Sequence, residues 1–280
     1  MSNRRSFIKI LTGIGAITAL PDLNLFAAPL NENHSLEPPS KLRFAVASDG
    51  HFGQPNVDSH KHFSDLVSWI NAEHQKQALD FIIINGDIVH DKPELLKVVK
   101  EKYFDRFTIP FYALPGNHDH ADTATWKSVF GYEDNYSFIK NDVGFVLANT
   151  SNVKGEYICP DKEFLKSELD KLTNTGIVFV VLHIPPYQWL PEDTFFIKCE
   201  SVINLLQSYP NVKAVFHGHD HALDSVRYTN KLPHFFDGHF GGNWGTEYKG
   251  YRIVEVDKQD EISTYQVNAS QNPIINRSKI

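Results

Sequence analysis

The chain has 280 residues, of which 41% are hydrophobic and 12% aromatic, a composition that predicts a globular protein and excludes a disordered one. Its formal net charge of −7 argues against general nucleic-acid binding through a basic surface. An anionic ligand would therefore need something other than surface lysines to attract it. The 14 histidines are an unusually large number for a chain of this length.

The N-terminus resembles a bacterial export signal of the twin-arginine type over residues 1–28. The run RRSFIK at residues 4–9 is followed by an apolar stretch at residues 10–20. This stretch is shorter than the roughly 20 residues that span a bilayer. We therefore expect export of the folded chain by the twin-arginine machinery, a periplasmic or secreted location, and no stable membrane anchor. An amphipathic or buried N-terminal helix is the alternative.

Residues 29–40 are polar and contain prolines, which indicates a linker. Over residues 41–280, apolar runs of strand length alternate with segments of helical spacing. This alternation predicts one α/β domain with largely buried strands. In chain order, the apolar runs are RFAVAS, FIIIN, FYALP, IVFVVL and VKAVF.

Four segments have the spacing of amphipathic helices: FSDLVSWINAEHQ, PELLKVVKEKYFDRF, DKEFLKSELDKL and VINLLQSY. Pro93 suits the first turn of the second helix, and Asp161 is expected to cap the third. Between these helices, YSFIKNDVGFVLANT predicts a hairpin with its turn at Asn141 and Asp142. The tail predicts further antiparallel strands.

The chain has two cysteines, Cys159 and Cys199, and neither has a partner at a metal-binding spacing. A zinc-finger site is therefore excluded. We expect two free, partly buried thiols without a catalytic role. A single disulfide, formed in an oxidising compartment, is the alternative.

Polar side chains that can bind metals follow five of the predicted strands in succession. They are Asp49 and His51, then Asp87, then Asn117 and His118, then His183, and finally His217, His219 and His221. Each could singly be a turn residue, a helix cap or a core histidine, but five such strand ends in order are not a chance pattern. The carboxyl ends of strands are where ligands bind in open α/β sheets. His219 and His221 occupy alternate positions and are expected to point the same way from an extended backbone.

This ordered set closely resembles the signature of the calcineurin-like metallophosphoesterases, over about residues 44–221. The signature reads D-x-H, G-D, G-N-H-D, a lone histidine and G-H-x-H. The resemblance implies an α/β fold, a four-layer α/β/β/α sandwich, with residues 41–280 as the catalytic domain. It also implies two divalent metal ions. One is held by Asp49, His51, Asp87 and His221. The other is held by Asp87, Asn117, His183 and His219, with Asp87 bridging.

The implied ligands suit borderline cations such as Mn, Fe, Zn or Co, and the absence of thiolates argues against a structural zinc site. Two such ions can clamp a phosphoryl oxygen and hold a hydroxide between them. The expected function is hydrolysis of a small phosphoester, preferably a diester. Asp87 and His118 are the expected catalytic residues, with His118 at the leaving group. A phosphomonoesterase and a non-catalytic binding scaffold are the alternatives.

One position departs from the purple acid phosphatases of this superfamily, which carry an iron-binding tyrosine three residues after the bridging aspartate. His90 stands there in this chain, which disfavours an iron(III)–tyrosinate centre. The motifs GNHDH and HIPPY are most similar to the bacterial branch that includes cyclic-nucleotide and glycerophosphodiester hydrolases. Asp119 and His120 are expected to orient neighbouring imidazoles, and His217 to lie behind the metal ligands.

Substrate contacts beyond the metals have no readable motif. Residues 187–189, which follow the lone histidine, are one candidate segment for such contacts. The glycine-rich segment 236–245, with His239 and Trp244, is another candidate for the rim of the site. Packing of either segment on the core is the alternative.

Overall fold

The structure is a computed structural model that describes residues 40–270 and the backbone of residues 274–279. The expected export signal and all but the last residue of the expected linker lie outside the described residues. None of the described helices combines the length and the apolar character needed to cross a membrane.

Within the described residues, twelve strands form two sheets of six. The first sheet contains β1 (Leu42–Ala47), β2 (Phe81–Asn85), β3 (Phe111–Leu114), β10 (Gly250–Val256), β11 (Ile262–Asn268) and β12 (Ile274–Lys279). Its order is β12-β11-β10-β1-β2-β3. β1, β2 and β3 are parallel, and β10 to β12 extend the sheet with antiparallel pairs.

The second sheet contains β4 (Tyr136–Lys140), β5 (Val143–Leu147), β6 (Ile177–Val181), β7 (Val212–His217), β8 (Val226–Thr229) and β9 (Leu232–Phe236). Its order is β4-β5-β6-β7-β9-β8. The four central strands are parallel, and β4 and β8 close its edges in antiparallel pairs. The parallel strands therefore form the centre of the second sheet, whereas in the first sheet they form one side, with β3 at the edge. Within each parallel set, the strands end at the same side.

Helices cover the outer face of each sheet. Those on the first sheet are α1 (Ser59–Lys76), α2 (Leu95–Lys102), a 3₁₀ helix (Phe104–Arg106) and α3 (Thr123–Phe130). Those on the second sheet are α4 (Lys162–Lys171) and α5 (Glu200–Ser208). A third hydrophobic cluster fills the space between the sheets. The predicted α/β/β/α sandwich is confirmed.

Alternation along β1 shows how the layers are specified. Ala45 and Ala47 pack against the helices, whereas Leu42, Phe44 and Val46 face the second sheet. This is the period-two pattern of a strand buried on both faces. The Phe44 ring lies within 6.2 Å of four other phenylalanine rings, centroid to centroid, contributed by both sheets. Burial of a phenylalanine side chain contributes about 1.5–3 kcal/mol to the free energy of folding. This cluster therefore stabilises the packing of the two sheets against each other.

Most local predictions are confirmed. Asn141 and Asp142 both have positive φ, as the two-residue turn of a hairpin requires. Asp161 caps α4 by accepting hydrogen bonds from the backbone N–H groups of Glu163 and Phe164. α2, however, begins two residues after Pro93, which lies in the preceding turn. α3 was not predicted, because its eight residues carry one fully buried side chain and hence little periodicity.

The expectation of two free thiols is wrong, because Cys159 and Cys199 form a disulfide. Cys159 precedes α4, and Cys199 is the N-cap residue of α5. The two helices share one hydrophobic cluster on the outer face of the second sheet. Their N-terminal ends therefore bring the two Cα atoms to 5.8 Å, although 40 positions separate them in the sequence.

Candidate metal centre

The seven predicted metal ligands lie together where β1, β2, β3, β6 and β7 end. All seven are buried, namely Asp49, His51, Asp87, Asn117, His183, His219 and His221. Hydrogen bonds join the loops that carry them. The backbone N–H of Asp49 donates to the Gly86 carbonyl at 3.1 Å, and that of His51 donates to the Asp87 carbonyl at 2.9 Å. The fold therefore assembles one site from five loops.

The ligand atoms fall into two groups. One consists of Asp49, His51 and His221, and the other of Asp87, His183 and His219; within each, the ligand atoms lie within 4.8 Å of one another. Asp87 lies between the groups, because its Oδ2 is 3.5 Å from His51 Nε2 and 3.3 Å from His183 Nε2. Six of the seven predicted ligands thus fall into two groups with Asp87 near both, and the assignment of each ligand to a metal stays a prediction.

Several buried atoms of the site have no hydrogen-bond partner among the described residues, namely His183 Nε2, His219 Nε2 and Asn117 Oδ1. His183 Nδ1 donates to the Asn85 carbonyl at 2.7 Å, so the lone pair of its neutral ring is on Nε2. A buried polar atom without a partner costs about 1–3 kcal/mol. Coordination to a metal would remove that cost, so these atoms fit a centre of two divalent cations.

The electrostatics of the site follow from burial and close opposite charges. Burial opposes protonation of His183, but the carboxylates of Asp87 and Asp49 outweigh burial and raise its pKa to about 9. Burial alone would raise the pKa of Asp49, yet His221 and His183 lower it to about 2. Burial lowers the pKa of His219 to about 3. Burial opposes ionisation of Asp87 as well, but His183 and His51 lower its pKa well below the usual range, so both carboxylates are kept ionised, as metal ligands must be.

The backbone at the ligands is unusual. Four ligand residues, Asp49, His51, Asp87 and His219, have φ between 48° and 69°, a region that non-glycine residues seldom adopt. The prediction that His219 and His221 extend from a strand is therefore wrong. β7 ends at His217, and the two ligands lie in the turn that follows. Strain of this kind concentrates at functional sites.

His118 lies on the rim of the site. Its backbone N–H donates to Asp87 Oδ1 at 2.8 Å, and its ring Nδ1 donates to Asp91 Oδ1 at 2.7 Å. His120 Nε2 lies 3.1 Å from the same Asp91 oxygen. The His90 ring stacks on that of His118 with centroids 4.8 Å apart. The contact of Asp91 with these histidines was not predicted. The only indication of it in the sequence is its place four residues after Asp87.

Two predicted supporting roles are wrong. Asp119 accepts hydrogen bonds from the backbone N–H groups of Val89 and Gly116, and so joins two loops rather than orienting an imidazole. His217 is the last residue of β7, and its ring bonds to the Leu182 carbonyl and to His234. Both ring nitrogens are used in these contacts, so the side chain makes no hydrogen bond to a predicted ligand.

The two groups open onto a cleft of about 210 Å³. Trp244, a predicted rim residue, lines it together with Tyr157 and Phe195, which were not predicted. Tyr187 and the two residues after it do not line this cleft. His239 is buried against His221, and its two ring nitrogens contact the carbonyl oxygens of Gly241 and Thr246.

The family model described as calcineurin-like phosphoesterase matches residues 42–223. The chain belongs to the calcineurin-like phosphoesterase family. The match covers every predicted ligand, and the strands β8 to β12 lie beyond it. Membership of this family, together with the two groups of candidate metal ligands, identifies the chain as a metal-dependent phosphoester hydrolase.

Two relatives of this calcineurin-like phosphoesterase carry names of diester hydrolases. A "probable glycerophosphodiester phosphodiesterase" of Arcobacter nitrofigilis is 27% identical over 202 residues, which cover 67% of this chain and 72% of the relative. A "probable cyclic nucleotide phosphodiesterase" of Coxiella burnetii is 24% identical over 206 residues, covering 68% and 80%. Among solved structures, a dimetal phosphatase from Danio rerio superimposes with a TM-score of 0.68 at 12% identity. That alignment covers 86% of this chain and 99% of the other.

Proposed function

We propose that the chain is a phosphodiesterase that hydrolyses a small phosphate diester at two divalent metal ions. The preference for a diester over a monoester rests on the residues that line the cleft. No lysine or arginine is among the described residues that line it. Lysine and arginine side chains commonly bind phosphate groups in proteins. A phosphate monoester carries two negative charges and would need such a cation more than a diester does. A diester carries a single negative charge and a second ester group, for which the aromatic side chains of the rim offer contacts.

The proposed ligands of one ion are Asp49, His51, Asp87 and His221, and those of the other are Asp87, Asn117, His183 and His219. When bound, such a pair supplies a hydroxide nucleophile and neutralises a phosphoryl oxygen. Mn, Fe, Zn and Co all suit this set of ligands.

His118 is proposed to act at the leaving oxygen. Asp91 accepts the Nδ1 hydrogen of His118 at 2.7 Å and fixes the orientation of the ring. When the ring is doubly protonated, its Nε2 proton can pass to the leaving oxygen as the bond to phosphorus breaks. Transfer by a positioned general acid contributes about 10²–10⁴-fold in rate, so His118→Ala should lower kcat by a factor in this range.

The proposal includes export by the twin-arginine machinery to a periplasmic or secreted location. The run RRSFIK and the apolar stretch after it support this location. The disulfide supports it as well, because disulfides persist in oxidising compartments and are rare in the cytosol. A full-length fusion to a reporter that is active only outside the cytoplasm tests it. Retention of the wild-type signal by the Arg4→Lys, Arg5→Lys double variant would contradict the twin-arginine route.

Hydrolysis of bis(p-nitrophenyl) phosphate and of p-nitrophenyl phosphate, measured side by side, tests the function. The protein is stripped of metal, reloaded with Mn, Fe, Co or Zn, and compared with Asp87→Ala. Diester turnover that requires metal and is lost in Asp87→Ala is the expected result. Turnover of the monoester alone would make the protein a phosphatase. Turnover of neither ester with any metal would contradict the proposed hydrolysis of simple esters.

A further inference from the structure

Three aromatic side chains of the cleft are more exposed than is usual for large apolar residues. The exposed fractions are 36% for Tyr157, 38% for Phe195 and 39% for Trp244. They come from three distant parts of the chain, yet all three line the cleft above the predicted ligands. Contiguous exposed apolar surface in a cleft commonly marks a binding site.

The three rings, each of which contacts His219 or His221, are here called the aromatic wall. The Trp244 ring lies parallel to His221, at 7° with centroids 4.1 Å apart. Phe195 stacks on Trp244 at 5.2 Å. The edges of Tyr157 and Phe195 meet His219, with centroids at 4.8 and 5.5 Å. The wall therefore stands over His219 and His221.

His118 contacts a different part of the site. Its ring meets that of His51, with centroids 4.9 Å apart, and stacks on His90. If His118 serves the leaving group, the aromatic wall is left to face the ester group that remains on phosphorus.

The aromatic wall is held in place before substrate binds. The disulfide ties Cys159, two residues after Tyr157, to Cys199, four residues after Phe195. The Trp244 carbonyl accepts a hydrogen bond from His221 Nδ1 at 3.1 Å. Rings fixed in this way lose little conformational entropy when they bind a ligand, which favours affinity.

We propose that the aromatic wall selects phosphodiesters whose retained ester group carries a planar aromatic ring, either an aryl group or a nucleobase. This inference rests on the proposed diesterase function. A planar ring can contact the exposed parts of Trp244 and Phe195 by stacking or edge to face, whereas a glycerol or methyl group gains little from such contacts. Phosphodiesters with small aliphatic groups are therefore the poorer substrates.

The test compares phenyl p-nitrophenyl phosphate with methyl p-nitrophenyl phosphate, which share a leaving group and differ only in the retained group. In the metal-loaded wild type we expect kcat/KM to be about tenfold higher for the phenyl ester, mainly through KM. Phe195→Leu and Trp244→Leu should each lower that preference, measured as the ratio of the two kcat/KM values, about threefold or more. Trp244→Phe should restore much of the preference.

Tyr187→Leu is the matched control. Tyr187 is 39% exposed and lies on the same loop as Phe195, but it does not line the cleft. Its replacement should leave the preference at the wild-type value. Metal content is measured for every variant, because Trp244 contacts His221 and Phe195 contacts His219, both of which are proposed metal ligands.

The outcomes separate this inference from the proposed function. Metal-dependent hydrolysis of both esters with equal kcat/KM would contradict the proposed role of the aromatic wall and would still support the diesterase function. If neither ester is hydrolysed, the aromatic wall is tested by binding instead. Calorimetry then compares the affinities of phenylphosphonate and methylphosphonate for the Mn-loaded protein. A phenyl preference that Phe195→Leu abolishes would then support the wall without the diesterase, and equal affinities would overturn it.

Discussion

Replacement of Gly218 by alanine is expected to disable the metal centre while the fold remains intact. A Cβ atom added to Gly218 would lie 2.6 Å from Asp49 Oδ2, 2.8 Å from Ser48 Cβ and 3.0 Å from the Asn85 carbonyl oxygen. Ordinary contacts are about 3.5 Å or longer, so the neighbours must move by about 1 Å. Asp49 cannot move freely, because it is buried and the same oxygen accepts a hydrogen bond from the His219 N–H at 3.0 Å.

Two consequences follow from that displacement. Overpacking of a filled interior costs about 1–3 kcal/mol, which corresponds to a fall of roughly 2–12 °C in Tm for a domain of this size. A displacement of about 1 Å at a catalytic site can lower the rate about 10²-fold. We therefore expect Gly218→Ala to remain folded at 25 °C, to retain less metal, and to lose about 10²-fold in kcat/KM for bis(p-nitrophenyl) phosphate.

The assay combines metal content by mass spectrometry, thermal unfolding and diester hydrolysis, with Gly176→Ala as the control. Gly176 is exposed, and a Cβ atom there would have no neighbour within 4 Å. This substitution should leave all three measurements near the wild-type values. Full metal content in Gly218→Ala, together with kcat/KM within threefold of wild type, would refute the geometric reasoning.

Three further predictions concern stability and the cleft. Burial, reinforced by His217, holds the pKa of His234 well below its usual 6.5, so the unfolded chain binds a proton that the folded chain does not. The free energy of unfolding should therefore fall as the pH drops below about 6.5, and His234→Gln should reduce this slope by about 1.4 kcal/mol per pH unit in urea titrations. Asp237→Ala leaves the buried guanidinium of Arg252 without the carboxylate that lies 2.6 Å from its Nε. We expect it to cost about 3–5 kcal/mol, against less than about 1 kcal/mol for Glu133→Ala in an exposed ion pair. Reduction of the disulfide should lower the preference for the phenyl ester about threefold without loss of metal.

Each of these predictions has an opposing result. Parallel slopes for wild type and His234→Gln would show that His234 protonates equally in both states. A cost for Asp237→Ala as small as that of the exposed pair would show that the Arg252 charge finds another partner. An ester preference unchanged by a reducing agent, with free thiols verified by titration, would show that the cleft holds its shape without the cross-link.

The meeting of the predicted ligands at one place could be predicted, because each lies near the end of a strand. Asp49, Asp87 and His183 directly follow buried apolar runs, and parallel strands that end at one side bring such residues together. The turn conformation of His219 could not be predicted, because alternation in the sequence suggests an extended chain until the point where β7 ends is known. Likewise, the hydrogen bond between His217 and His234 could not be predicted, because only the pairing of β7 with β9 brings the two residues together.

The rim could not be predicted, because long-range contacts alone determine it. Tyr157 and Phe195 lie on loops without periodicity, and the bond between Cys159 and Cys199 joins positions 40 residues apart. Asp91 presents the same difficulty, since only the fold brings it to His118 and His120. Sequence patterns thus predict the side chains that lie at strand ends. The side chains expected to determine substrate specificity lie on loops, and only tertiary packing fixes their positions.

The disulfide has a consequence for when the protein becomes selective. Under the proposed export route the chain folds in the cytoplasm, where a thiol pair on the loops of Tyr157 and Phe195 stays reduced. Oxidation outside the cytoplasm would then join these loops as a late step of maturation. The phosphodiesters of the cytoplasm would thus meet only an immature form, and the finished cleft would form only after export.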